Sequence, residues 1–383
     1  MIYLDNHSTT RCDPRVLKKM LPYFGEHYGN AASKTHSLGW TAAAAVDLAR
    51  EQVADRIAAQ SNEIVFCSGA TEANNLAVRG VANSYAQRGK HLVVASTEHP
   101  SVLDCALRLA GEGWEVTVVP VHEDGLLDPE KLRAALRADT TLVSVMLANN
   151  EIGVIQDIAA LASMVHNFDE AIVFHCDAAQ ALSTMELDVS ALGVDLLSLS
   201  AHKAYGPKGV GALWRRRRPR LKLMPILDGG GHEDGLRSGT LPVPLIVGFG
   251  EACAISSQEW ENDQLRITVL RDELLGALQG QLADIQVNGS LEARLCGNLN
   301  IAFGGVQAEQ LVLALGELAC STGAACASAS AKPSHVLAAT IDKARAAQSL
   351  RFGLGRFTTT EEIEQAATMI VGSVRKLRQA LVG

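Results

Sequence analysis

Two residues of this 383-residue chain are well suited to covalent chemistry, a lysine and a cysteine in contrasting surroundings. Lys203 ends the apolar run Leu196-Leu-Ser-Leu-Ser-Ala-His202-Lys203, and the tight turn Ala-Tyr-Gly-Pro-Lys-Gly-Val-Gly211 follows it. A lysine delivered by a buried strand is costly unless it is paired or consumed. One use is condensation with an aldehyde to a Schiff base, since burial favours the neutral, nucleophilic amine. The alternative is a lysine that leaves the sheet edge for solvent. Cys326 lies in a stretch where no side chain from Ser321 to Ala331 is larger than threonine or cysteine. So little bulk cannot anchor the segment in a core, and it reads as a mobile loop. A thiol on such a tether can attack in one place and deliver in another; taken alone, the stretch is a small-residue turn with an incidental cysteine.

The elements that position these residues follow from apolar patterning. Short runs at Glu63-Ile-Val-Phe-Cys-Ser, His91-Leu-Val-Val-Ala-Ser, Glu115-Val-Thr-Val-Val-Pro, Leu142-Val-Ser-Val-Met-Leu, Ala171-Ile-Val-Phe-His-Cys and Val194-Asp-Leu-Leu-Ser-Leu-Ser alternate with Ala-rich helical stretches. Nearly continuous apolar strands imply a sheet buried on both faces, hence an α/β fold with mostly parallel strands between helices. Thr41 to Ala59 reads as an amphipathic helix, and Gln258 to Leu282 as a long connecting helix leading to a smaller α/β unit with the strand Leu299-Asn-Ile-Ala-Phe303. The expected division is a large domain over 12–257 and a small one from 1–11 and 258–383, the latter carrying the cysteine loop at about 321–332.

In such sheets ligands bind beyond the carboxyl ends of the strands. After the first run, Ser68-Gly69-Ala70-Thr71-Glu72 opens a helix with small residues, which makes an anion cradle or a plain cap. His99 follows the second run and can stack on a ring, shuttle protons or sit in solvent. Asn149-Asn150-Glu151-Ile-Gly153 suits polar recognition or a turn. Asp177, in His175-Cys-Asp177-Ala-Ala-Gln180, needs a cationic partner behind its buried strand, and a protonated pyridine nitrogen meets that need. Together these ends match pyridoxal 5′-phosphate. A second glycine cluster, Asp228 to Thr240, lacks the helix and acid of a dinucleotide loop and reads as a flexible loop offering Arg237 and Thr240 to a phosphate.

Composition sets the bounds. The net charge of −8 argues against general nucleic-acid affinity. The run Arg215-Arg-Arg-Arg218-Pro-Arg220 reads as a solvated hairpin or strand end ahead of an acidic-partner or nucleic-acid contact. Eight scattered cysteines without a Cys-x-x-Cys pair indicate buried thiols in a reducing compartment, neither a disulfide framework nor a zinc or other metal site. No run is long enough to span a membrane and the start of the chain lacks a secretory pattern, so a cytoplasmic protein is expected.

Tyr3-Leu-Asp-Asn6, Gly29-Asn30…His36, Ser68-Gly-Ala-Thr-Glu72, Thr97-Glu-His99, Asn149-Asn-Glu-Ile-Gly153, Asp177-Ala-Ala-Gln180, Ser200-Ala-His-Lys203-Ala-Tyr-Gly-Pro-Lys-Gly, Gly229-Gly-Gly-His-Glu233 and Arg237-Ser-Gly-Thr240 stand in this order. The set, running from residue 3 to about 365, resembles cysteine desulfurases of the NifS/IscS type, which are class V, fold-type I pyridoxal-phosphate enzymes. The resemblance implies a mostly parallel seven-stranded sheet and a smaller C-terminal α/β domain. It implies conversion of L-cysteine to L-alanine, with Cys326 taking the sulfur as a persulfide and Cys320 remaining structural. Lys203 then forms the Schiff base and moves protons together with His99. His99 stacks on the ring, Asp177 pairs with the pyridinium and Gln180 with the ring oxygen. Ala70, Thr71, Ser200 and His202 bind the phosphate, and Thr240 reaches it from the other subunit of a homodimer. Arg351, in Ser349-Leu-Arg351-Phe-Gly-Leu-Gly355, holds the substrate carboxylate, with Asn150 and Asn30 assisting. The sulfur passes to a protein acceptor serving iron–sulfur cluster assembly, tRNA thiolation or DNA phosphorothioation. His7-Ser8 and Ala31-Ala32 depart from the family pattern and are expected to touch no reacting atom. A selenocysteine lyase or a class V aminotransferase shares all of this except the need for Cys326; a non-catalytic sulfur-relay subunit needs none of it.

Overall fold

The structure, a computed structural model, describes residues 1–217, 219, 221–322 and 334–380. The apolar runs become strands β2 (Ile64–Cys67), β3 (His91–Ala95), β4 (Glu115–Val119), β5 (Thr140–Ser144), β6 (Val173–Asp177), β7 (Leu196–Ser200) and β8 (Gly211–Arg215). They form one sheet in the order β2-β8-β7-β6-β5-β3-β4. Only β8 runs against the others, pairing antiparallel with β2 and β7. Alternate residues feed two cores, as a period of two requires. Phe66, Val93, Val143, Phe174 and Leu197 pack under the helices Ser37–Arg56 and Ile158–Phe168. Val65, Leu92, Leu142, Val173 and Leu196 pack under Ala70–Tyr85 and Pro100–Ala110.

A third core surrounds a three-stranded antiparallel sheet, in which β10 (Asn298–Phe303) lies between β9 (Ile285–Val287) and β12 (Ser349–Gly353). The first residues join it, with β1 (Ile2–Tyr3) parallel to β11 (Leu318–Ala319). One helix serves both parts. It runs over Val243–Gln279, starting well before the expected Gln258, and gives Ile246, Val247 and Phe249 to the large core and Ile267, Leu270 and Leu274 to the small one. Its opening turns were hidden by Pro244, which an N-terminal turn tolerates, and by Gly248 and Gly250. Those glycines permit close packing: a Cβ at Gly250 would lie 2.6 Å from Ala49 Cα. Among the described residues, no helix is long and apolar enough to cross a membrane.

Candidate active site

The strands β2, β3, β5, β6 and β7 run the same way, so their carboxyl ends share one edge of the sheet. β7 leads through Ala201–Lys203, a single 3-10 turn, into Tyr205, whose φ of 61° is left-handed and strained for a bulky residue. An N-terminal strap holds this turn. Thr10 N–H donates to His202 O at 3.0 Å, Tyr205 N–H to Thr10 Oγ1 at 2.9 Å, and Asp13 N–H to Tyr205 O at 2.9 Å. Lys203 Nζ donates to the backbone carbonyls of His7 and Ser8, the latter at 2.8 Å.

Beside the lysine, the acid and the imidazole are joined by one hydrogen-bonded row. Asn74 Nδ2 donates to Asp177 Oδ2 at 2.7 Å and to Ser101 Oγ at 2.8 Å. Ser101 Oγ lies 2.8 Å from His99 Nδ1, which also accepts the Ser101 N–H at 3.1 Å as the cap of the helix Pro100–Ala110. With both hydrogens of Asn74 given away, the serine hydroxyl donates to Nδ1, so His99 carries its proton on Nε2. Burial lowers the proton affinity of His99, and the nearest charges acting on it include Asp177 and Lys203. Neither Asn74 nor Ser101 could be singled out from sequence, since each sits in an ordinary helix turn.

The anion cradle stands on the adjacent strands. Ser200 pairs with Gly211, and Gly211 with Cys67, across β7, β8 and β2. A Cβ at Gly211 would lie 2.4 Å from Leu199 O and 2.8 Å from Gly69 Cα, so only glycine lets the loop approach. Gly69, with φ 151°, caps the helix Ala70–Tyr85 without a side-chain hydrogen bond, and a Cβ there would meet nothing within 4 Å. As first-turn groups, the N–H of Ala70 and of Thr71 have no intrahelical acceptor, and the positive end of a helix dipole lies behind them. His202, bonded through Nδ1 to Thr9 Oγ1 at 3.0 Å, is kept neutral at about 4 by burial. Uncapped helix start, buried acid, neutral imidazole and lysine fit the phosphate, ring nitrogen, ring face and aldehyde of pyridoxal 5′-phosphate. Arg237 corrects an expectation. It is not offered to a phosphate but donates to Glu72 Oε1 at 2.7 Å, tying its loop to the helix start. Thr240 is exposed.

The small sheet contributes Arg351 from β12, only 1% exposed. Its Nη1 donates to Asn150 O at 2.9 Å, and its Nη2 to Asp5 Oδ1 at 2.7 Å and Ser8 Oγ at 2.6 Å. Among the described residues its Nε is buried without a partner, a donor that a carboxylate can satisfy. The expectation that His7 and Ser8 stand apart from the chemistry is overturned. Ser8 bonds to Arg351, and both residues' carbonyls hold Lys203. The His7 ring, pushed down to about 3 chiefly by burial, faces Gln180 Oε1 through Nδ1 at 3.1 Å, while Gln180 Nε2 donates to His7 O at 3.0 Å. Gln180 thus keeps one N–H for another acceptor. Asn30 is exposed, and its Oδ1 accepts Ala32 N–H at 2.9 Å, so the described contacts do not bring it to Arg351.

Cys326 lies outside the described residues, as does the rest of 323–333. Both ends of that segment are fixed at the site. Ser321 exchanges backbone hydrogen bonds with Arg351 at 2.7 and 3.1 Å. Ser334 Oγ donates to Glu151 Oε2, and His335 Nε2 to Glu98 O at 2.9 Å. Cys320, just past β11, is pushed up to about 12 by burial, which suits an inert thiol.

Residues 2–366 match the aminotransferase class-V family. The cysteine desulfurase IscS of Anaeromyxobacter dehalogenans is 52% identical over 379 residues, covering 99% of this chain and 93% of that one. A solved NifS-like protein superposes with a TM-score of 0.91 at 33% identity, covering 97% of this chain and 98% of its own. SspA in complex with cysteine gives 0.82 at 33% identity, over 94% of this chain and all (100%) of its own. The chain belongs to the class-V aminotransferase family and, within it, to the pyridoxal-phosphate-dependent cysteine desulfurases.

Proposed function

We propose that the enzyme converts L-cysteine to L-alanine by moving sulfur first to its own Cys326 and then to an acceptor protein. The observation that carries this is Ser8, whose carbonyl accepts from Lys203 and whose hydroxyl accepts from Arg351. Amine and carboxylate of one amino acid can thus be addressed from two sides of a single residue. Bound pyridoxal 5′-phosphate supplies an electrophilic carbon and a conjugated ring that takes up an electron pair. Asp177 would face the ring nitrogen, and His99 would cover the ring. Arg351 orients the carboxylate through its Nε–H, the donor that has no partner among the described residues. Lys203 Nζ removes the substrate Cα proton and returns a proton as the product forms. Cys326 Sγ attacks the substrate sulfur: the S–S bond forms, the C–S bond breaks with its pair on the carbon side, and that carbon takes a proton. Cysteine plus thiol gives alanine plus persulfide, and the atoms balance.

Cys326 follows the anchored Ser321 by five residues, a tether of up to about 17 Å. That length lets one thiol serve the substrate and then an acceptor. An iron–sulfur cluster assembly protein is the acceptor we favour, on the 52% identity to an IscS relative. Thr240, exposed on its own chain, is assigned to the phosphate cradle of a second copy in a homodimer. The reaction is tested by alkylating the cysteine-treated enzyme and mapping its peptides by mass. A persulfide on the Cys326 peptide, with alanine formed in equal amount, is expected. Wild-type alanine production by Cys326→Ser would refute the assignment of the thiol.

A further inference from the structure

Behind the ring-facing residues lies a buried polar row that the reaction above leaves unused. Glu98 is fully buried between the turn after β3 and the end of β5. Its Oε1 accepts Met146 N–H at 2.5 Å, and its Oε2 lies 3.2 Å from Ser144 Oγ. Ser144 Oγ is 2.8 Å from His175 Nδ1, and His175 Nε2 is 3.0 Å from Ser198 Oγ. The row crosses β5, β6 and β7 one pleat behind Asp177, because residues 175 and 177 share a face of β6. Backbone geometry explains why an acid is there. Past Ser144 the chain stays paired to β6, with Val145 N–H on His175 O and Leu147 N–H on Asp177 O, but β3 has already ended at Ala95. Met146 N–H faces the side β3 has left, and the Glu98 carboxyl is the acceptor found there. An unmet buried N–H is costly.

We propose that Glu98 is a positioning residue: its carboxyl staples the Thr97–His99 turn to β5 and so fixes where the His99 imidazole meets the cofactor ring. The proposal rests on the reading of His99 as the residue that covers that ring. The staple is tied at both ends of the residue, since Glu98 O accepts from His335 Nε2 while the side chain grips β5. Burial, reinforced by the Asp177 charge, raises the proton affinity of Glu98 well above the usual carboxyl range. Ser144 Oγ donates to Glu98 Oε2 and accepts from His175 Nδ1–H, which leaves His175 Nε2 to accept from Ser198 Oγ. Burial keeps His175 neutral at about 4, which agrees with that order.

The role needs hydrogen bonds and no charge, so glutamine can perform it and methionine, equally long, cannot. In the apoenzyme, Glu98→Met is expected to move the imidazole 15N shifts of His99, while Glu98→Gln restores them. In the loaded enzyme, Glu98→Met is expected to shift the cofactor absorption band and lower kcat by about tenfold to a hundredfold with little change in KM. Should Glu98→Met fail to fold, Glu98→Asp, one methylene short of Met146 N–H, carries the same expectations. Glutamine as damaging as methionine, or unmoved His99 shifts in the methionine variant, overturns the proposal. His99→Ala separates the two readings. If it leaves the absorption band and cofactor release unchanged, the ring assignment of His99 fails; if it alters both while Glu98→Met alters neither, Glu98 alone is wrongly placed.

Discussion

On the seven-stranded sheet, burial holds His99, His175 and His202 neutral and pushes Glu98 towards its protonated form. On the three-stranded sheet, Arg351 is buried as an ion pair with Asp5 of the N-terminal strap, at 2.7 Å. Neutral donors and acceptors with fixed directions suit a planar ring, whose orientation decides which substrate bond breaks. A fixed guanidinium suits a carboxylate, which needs a charge of opposite sign and a fork geometry. Asp177 apart, the parallel sheet therefore supplies orientation and the small sheet supplies charge, and Lys203, held by strap carbonyls, stands at their border.

The largest effect is expected at that border. Lys203→Ala should lower alanine formation by at least about a hundredfold, and borohydride reduction should no longer leave a pyridoxyl tag on the peptide containing residue 203. A tag surviving elsewhere with activity intact would dissolve the comparison. On the charged side, Arg351→Met removes a charge-assisted contact of about 1.5–3 kcal/mol, so KM for cysteine should rise about tenfold to a hundredfold. Steady-state kinetics showing equal falls in kcat and kcat/KM, with KM unchanged, would move Arg351 from substrate binding to the transition state.

The two regions also differ in how much of them the sequence discloses. Strand ends were legible, because a polar residue just after a buried apolar run stands out locally: Asp177 after Val-Phe-His-Cys and Lys203 after Leu-Leu-Ser-Leu-Ser-Ala-His each mark one edge of one sheet. Asp5 and Ser8 left no such mark. They reach Arg351 across 346 and 343 residues of chain, and nothing near either position encodes the meeting. Arg237 was misread for the same reason, since its partner Glu72 lies 165 residues away. The early turns of the helix Val243–Gln279 were missed because residues buried all round lose the polar stripe that marks an amphipathic helix.

Acid titration sharpens the neutral side. His175 and His202 have folded values of about 4 against about 6.5 in an unfolded chain. Each binds more protons when unfolded between those values, so its stabilising contribution is complete above about pH 6.5 and is lost as pH falls towards 4. Denaturant midpoints of the apoenzyme should drop through this window. His175→Gln, which cannot be charged, should show a shallower drop between pH 6.5 and 4 than the parent. An identical slope would mean that His175 is charged in the folded chain, and the neutral row behind Asp177 would have to be redrawn.

The smallest effect expected is at Ser8, where the comparison is most exposed because one side chain serves the charged side while its carbonyl serves the lysine. Ser8 Oγ accepts from Arg351 Nη2 and donates to Asp5 Oδ1 at 2.9 Å, closing a ring of three groups around one guanidinium edge. Ser8→Ala leaves the Asp5 contact at 2.7 Å, so one Nη2 hydrogen keeps its acceptor while the other loses Ser8 Oγ. A rise in KM for cysteine of less than about tenfold, with kcat unchanged, is expected. Asp5→Asn keeps an acceptor but removes the charge, and the double variant measures whether Ser8 acts through Asp5 or directly on the arginine. Additive effects on KM assign Ser8 to the guanidinium alone; an effect of Ser8→Ala that vanishes when Asp5→Asn is already present assigns it to holding the carboxylate. A fall in kcat from Ser8→Ala would instead show that the strap couples the charged side to Lys203, and the division between orientation and charge would no longer hold.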